Sequence, residues 1–348
     1  MDRIVSALAR QHGIPGWALS IRQDGQTVVC VAGGVARIEP ERAMSPDTPF
    51  DLASLTKPLV GSLVTAALIE SGDLHLDSKI ASVHADVDPR ITVKHLLTHT
   101  SGLPAWMPLY QEVLHDLGTT RARSTLLHRA RRSTLDAVPG EQHVYSDIGF
   151  LVLLSVLETV GGARIDALFD RLVVEPCGLT SLTWGAKEAA ATEDCPVRGM
   201  IMEGRVHDLN ADALGGLSTH AGLFGTAAAV SDLGERCREA VARPESSPLP
   251  GRTLRALWSV DGPGSHCGGW DRISRGRYTS TGRYFPDDSV GHLGYTGNSL
   301  WVVPSRRITV TLLTNRIHPV DDLTGIRAFR PAVHDAVSQR LGWDKPTT

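Results

Sequence analysis

Apolar and polar positions along the chain alternate between two periods, and the change of period divides it. Residues 3–12 place Ile4, Val5 and Leu8 at helical spacing, and Gly13 with Pro15-Gly16 ends that helix. Segments 17–22 and 27–32 read as two strands joined at Asp24-Gly25, a turn dipeptide suited to positive φ. A polar loop (37–48) leads through Phe50-Asp51-Leu52-Ala53 into an apolar helix. That helix begins near Ser54, runs through Leu59, Leu63, Ala66, Ala67 and Leu68, and stops at Ser71-Gly72. Pro58 falls in its first turn, where backbone N–H groups have no intrahelical partner.

From 75 to 215 the pattern is mostly helical: a short helix at 92–97, another at 126–135 and a strongly apolar one at 148–160. After Gly222 the chain predicts a helix at 227–242, a Gly-rich loop at 262–269 and then paired strands. Segments 299–303 and 308–314 are rich in β-branched residues and flank Pro304-Ser305-Arg306-Arg307, a hairpin pattern. An amphipathic helix at 326–341 follows. Strands near both ends with helices between them predict an α/β (α+β) architecture. An antiparallel sheet domain flanked by helices would come from 1–57 and 216–348, and a mainly helical lobe from 58–215, with the active site between them.

The bulk numbers narrow the function classes. The 348 residues are 42% hydrophobic and 21% charged, an ordinary globular balance. A formal net charge of −3 argues against nucleic acid as a partner, and the cluster Arg121, Arg123, Arg129, Arg131, Arg132 reads as a solvated helix face. No apolar run approaches the roughly 20 residues of a membrane span. Residues 1–5 show no secretory pattern, so a cytoplasmic location is expected. The five cysteines lack C-x-x-C spacing and read as buried free thiols. His95 and His99, four apart, lack an H-E-x-x-H pattern and a nearby third ligand, so neither metal nor cofactor is expected.

Candidate chemistry starts at Ser54-Leu55-Thr56-Lys57. Residues three apart on a helix lie on neighbouring faces, so hydroxyl and amine can share a cavity. A neutral lysine could then take the serine proton. Tyr145-Ser146-Asp147 precedes the apolar helix, and its phenol becomes a base only if a cation such as Lys57 stabilises the phenolate. His292-Leu293-Gly294 precedes the C-terminal hairpin, where a glycine lets substrate approach the backbone. Leu96–Pro104 reads as a helix ended by Gly and Pro. Segment 206–210 and His220 read as a structured loop beside the site, and 104–120 with 262–288 as the walls that select substrate.

In this order, S-x-x-K, Tyr-Ser-Asp and His-x-Gly resemble the serine β-lactamase and penicillin-binding-protein superfamily, in particular its class C β-lactamase-like branch with D,D-peptidases and family VIII carboxylesterases. The resemblance spans about residues 10–316. It implies Ser54 as acylated nucleophile, Lys57 and Tyr145 sharing its proton, and backbone N–H groups of Ser54 and Tyr295 as oxyanion donors. His292, Gly294, Tyr295 and Asp147 would bind substrate. Where the family usually has Lys-Thr-Gly this chain has His292-Leu293-Gly294, and where the second motif usually ends in Asn it has Asp147. Both departures favour a neutral ester, amide or short peptide over a β-lactam. The remaining readings are a β-lactamase or D,D-carboxypeptidase, an acyltransferase built on the same acyl-enzyme, and a catalytically silent ligand-binding member. No G-x-S-x-G elbow supports a Ser-His-Asp hydrolase.

Overall fold

The computed structural model describes residues 1–274, 279–321 and 323–343. Its frame is an eight-stranded sheet that joins the two ends of the chain. Ile308–Thr314 pairs antiparallel with Gly16–Gln23 on one side (Trp17 opposite Thr314) and with Ser299–Val303 on the other (Ser299 opposite Leu312). Gln26–Arg37 and Arg42–Ala43 extend the first flank. Val290–Leu293, Trp270–Arg272 and His266–Cys267 extend the second.

Both sheet faces are covered, so Ile308–Thr314 is buried at every residue. On one face the terminal helices Asp2–Gln11 and Thr324–Arg340 pack Val5, Phe329, Val333 and Val337 against Trp17, Leu19, Trp301 and Val310. On the other, Ala227–Ala242 sets Val230, Leu233 and Cys237 against Ala18, Leu300 and Leu313. Gly234 permits that approach, because a Cβ there would stand 2.9 Å from both Leu300 and Thr309.

Several expected elements shift. The helix expected at 126–135 spans Thr120–Arg131, because the Thr119 side chain accepts the Ala122 N–H and starts it earlier. Its arginines are partly engaged: Arg131 pairs with Asp86, Arg129 with Glu112 and Arg123 with Glu158. The Gly-rich loop at 262–269 contains the edge strand His266–Cys267, which turns through Gly268 and Gly269, both at positive φ, into Trp270–Arg272. The mostly helical stretch also holds strand Leu182–Trp184, which joins Phe50–Asp51 and Leu223–Gly225 in a three-stranded sheet. Four cysteines are buried, but Cys30 is exposed. Among the described residues, no single helix is long and apolar enough to cross a membrane.

The helix expected to begin near Ser54 forms in three parts: a 3₁₀ turn Ala53–Leu55, a π-helical turn Lys57–Ser62 and an α-helix Leu63–Glu70. Pro58 has no N–H for an ordinary i→i−4 bond at this point, which accounts for the irregular winding.

Candidate active site

The small sheet and the 3₁₀ turn fix Ser54. Asp51, at the end of its strand, accepts the Ala53 N–H at 2.8 Å and the His207 N–H at 2.7 Å on its two carboxylate oxygens. Its carbonyl accepts Thr296 Oγ1 and Asn298 Nδ2. One residue thus ties the turn before Ser54 to the 207 loop and to the segment after Gly294. Ala53 holds φ at 47°, a left-handed conformation costly for a side-chain-bearing residue and common at functional sites. Ser54 lies second in the 3₁₀ turn, where the N–H has no intrahelical acceptor.

Lys57 Nζ lies 3.1 Å from Ser54 Oγ and 2.6 Å from the Asp147 carboxylate, and the lysine is fully buried. The Tyr145 ring centroid is 4.6 Å from the same Nζ. Burial by itself would lower the Lys57 pKa. Asp147 and Tyr145 outweigh it and hold the pKa above the ordinary lysine value. The neutral lysine base suggested by S-x-x-K spacing is therefore replaced by a cation. Burial raises the Tyr145 phenol, and the Lys57 charge opposes that rise.

Between Tyr145 and Asp147, Ser146 does structural work. Its hydroxyl caps helix Asp147–Gly161 by accepting the Gly149 N–H and donates to the Pro104 carbonyl at 2.6 Å. Its own N–H donates to His99 Nδ1 at 3.0 Å. His99 therefore supports the tyrosine, its ring 4.4 Å from that of Tyr145. The 96–104 segment, which reads as helix termination, thus carries a support for the site that its sequence pattern does not announce. The only local sign is a φ of 56° at His99, which sequence does not reveal. His95 turns elsewhere, completing a capping box with Thr92. Among the described residues, no group of three or more His, Cys, Asp or Glu could hold a metal ion.

His292 lies on strand Val290–Leu293, opposite Leu300, with its ring 6.0 Å from Tyr145. Burial and the Lys57 charge lower its pKa to about 3, so it is neutral. Gly294 leaves no room for a side chain: a Cβ would sit 2.8 Å from the Leu52 carbonyl and 3.0 Å from Asn298. The Tyr295 side chain points outward, half-exposed, and stacks on His207 with centroids 5.3 Å apart.

Two cavities meet at Ser54 and Tyr145. One, of about 430 Å³, is lined among others by Trp106, Glu193, His207, Asp208 and His220. The 206–210 segment and His220 thus border the site, as does Trp106 of the 104–120 stretch. Burial alone would lower the His207 pKa, but Glu193, Asp51 and Asp208 together raise it. Burial alone would raise the Asp208 pKa, but His220, the Ala211 N–H and His207 together hold it low. The other cavity, of about 400 Å³, is lined by His266, Asp271, His292 and Arg330 among others. Of the 262–288 stretch expected to shape substrate choice, 275–278 lie outside the described residues.

A family model described as Beta-lactamase matches residues 1–333. The chain belongs to the Beta-lactamase family. Among its relatives is an N-acetylmuramyl-L-alanine amidase of Bacillus subtilis, 26% identical over 350 residues, a match covering 89% of this chain and 79% of the relative. Esterase EstB of Burkholderia gladioli is 31% identical over 195 residues, covering 51% of this chain and 49% of EstB. Among solved structures, EstCE1, described as a hydrolase with promiscuous acyltransferase activity, superposes with a TM-score of 0.74 at 23% identity. That match covers 95% of this chain and 98% of EstCE1, and supports the fold. The Beta-lactamase family chain therefore carries the mixed antiparallel-sheet and helix architecture that the residue pattern predicts.

Proposed function

We propose that this serine hydrolase of the Beta-lactamase family cleaves esters or amides through an acyl-enzyme on Ser54. The sheet built from both chain ends and the lobe of 58–215 form the two walls of its site. The observation that carries the reading is the buried Lys57 cation between the Ser54 hydroxyl at 3.1 Å and the Asp147 carboxylate at 2.6 Å, with Tyr145 over it.

Since Asp147 keeps Lys57 charged, the base is the Tyr145 phenolate, which that charge stabilises. The phenolate takes the Ser54 proton as Oγ bonds to the substrate carbonyl carbon. The backbone N–H groups of Ser54 and Tyr295 hold the resulting oxyanion, each worth about 3–4 kcal/mol in the transition state. Tyr145 then passes the proton to the leaving oxygen or nitrogen as its bond to carbon breaks. In the second half, the regenerated phenolate takes a proton from water, whose oxygen bonds to the acyl carbon, and returns it to Ser54 as Oγ leaves. A small alcohol or amine in place of that water would give acyl transfer.

Relatives named as amidase and esterase support both bond types. Leu293, where the family usually has a hydroxyl, and the neutral His292 support esters and amides over β-lactams. Intact-mass analysis after a fluorophosphonate tests the reading. One adduct is expected, absent from Ser54→Ala; an adduct that persists in Ser54→Ala removes Ser54 as nucleophile.

A further inference from the structure

The second cavity contains a charge that the acyl-transfer chemistry leaves unused. Asp271 sits on strand Trp270–Arg272, opposite His266 on one side and Gly291 on the other. It lines the cavity of about 400 Å³ together with Ser54, Tyr145 and His292. Its carboxylate accepts hydrogen bonds from the Ser265 side chain and, at 2.9 Å, from the Arg272 N–H. Among the described residues it forms no ion pair with a lysine or arginine, and burial lifts its pKa to about 6.

A second unused acceptor belongs to His292, which also lines the cavity. His292 Nδ1 lies 2.7 Å from the Leu293 carbonyl, which can only accept, so Nδ1 carries the ring proton. Nε2 is left with a bare lone pair, buried and without a hydrogen-bond partner. The residue is 2% exposed. A buried acceptor of this kind costs stability unless a ligand donates to it. The arginines of the cavity are engaged in building its wall. Arg330 donates to the Gly294, Gly297 and Asn298 carbonyls, and Arg316 donates to Tyr295 O and pairs with Asp321.

We propose that this cavity binds a primary ammonium group of the substrate, with the Asp271 carboxylate as its counter-charge and His292 Nε2 as a second acceptor. This inference rests on the acyl-enzyme reading of Ser54 and narrows it to amino-bearing esters or amides. Asp271 is a specificity determinant and takes no part in bond cleavage. The wild-type enzyme therefore discriminates by charge at equal size, and Asp271→Asn removes the discrimination.

Two matched substrate sets test this without assuming which side of the scissile bond enters the cavity. The first varies the leaving group: 4-(aminomethyl)phenyl, 4-ethylphenyl and 4-(carboxymethyl)phenyl hexanoate. The second varies the acyl group: 4-nitrophenyl 6-aminohexanoate against 4-nitrophenyl heptanoate. In one set the ammonium ester should exceed the neutral one in kcat/KM by about ten- to a hundredfold, the range of a hydrogen bond to a charged group. Asp271→Asn should bring that ratio near one while leaving the neutral ester within about twofold, which also shows that the variant folds. Equal rates for ammonium and neutral esters in both sets, a preference for the carboxylate ester, or a preference that survives Asp271→Asn would overturn the proposal. Fluorophosphonate labelling of Ser54 separates the two levels. A labelled enzyme without charge preference refutes this inference alone, whereas an unlabelled one refutes the acyl-enzyme reading beneath it.

Discussion

Asp147→Asn isolates the charge balance on which the site rests. The substitution keeps size and shape but removes the carboxylate 2.6 Å from a fully buried Lys57. Without it, burial, the largest influence on Lys57, acts to strip the proton. A lysine that gives up its proton on folding at pH 7 loses about 1.4 kcal/mol for each unit below its ordinary ~10.4, so the cost is capped near ~4–5 kcal/mol. Removing one partner of a buried pair typically costs ~3–5 kcal/mol, the same range. The pH dependence follows from the signs. In the native protein the raised Lys57 pKa contributes stability that is fully present below the unfolded pKa and is lost as pH rises through the folded one. In the variant the folded pKa is depressed, the unfolded chain binds more protons, and stability rises with pH toward ~10.4. Urea unfolding of both proteins from pH 7 to 9.5 should show a destabilisation of ~3–4 kcal/mol at neutral pH that narrows as the pH increases. The charge that Asp147 offers the N-terminus of helix Asp147–Gly161 adds a small part that does not vary over this range. A difference below ~1 kcal/mol, or one independent of pH, would refute the argument that Asp147 keeps Lys57 charged.

Other outcomes follow from the same geometry. Tyr145→Phe should fold normally and lose ~10²–10⁴-fold in kcat, measured with a 4-nitrophenyl ester; unchanged turnover would remove the phenol from the mechanism. Because burial raises the Tyr145 pKa, the phenolate is scarce at neutral pH, and kcat/KM should climb with pH through 7–9 in native enzyme. A profile already flat from pH 6 would point to a different base. Gly294→Ala should displace the strand end against Leu52 and Asn298 and cost ~10²–10³-fold in kcat through the Tyr295 N–H. Tyr295→Phe keeps the main chain and should stay within about threefold of native, and a comparable loss in both variants would contradict a backbone role.

The residue pattern revealed much of the frame because local chemistry decides it. The β-branched runs around Pro304–Arg307 and the helix Ala227–Ala242 lie where periodicity places them. Helix starts moved where a side chain intervened, as Thr119 did for Thr120–Arg131. The order of Ser54, Lys57, Tyr145 and His292 was legible as a motif, but their charge states were not. Whether Lys57 is neutral depends on a carboxylate 90 residues away in sequence and on burial, neither of which spacing encodes. His99 was invisible for a related reason: its role comes from a left-handed backbone and from Ser146, while its neighbours read as a helix stop. Asp271 and His266 meet the site only because a Gly-Gly turn folds an edge hairpin toward Val290–Leu293.

The proposed reaction stands on a covalent acyl group carried by Ser54 during turnover. Acid quench of the native enzyme and of Tyr145→Phe during reaction with a 4-nitrophenyl ester, followed by peptide mapping, observes it directly. The acyl mass is expected on the Ser54 peptide, with the adduct decaying more slowly in Tyr145→Phe. Rapid turnover with no acylated peptide, or an acyl group on another residue, would contradict it.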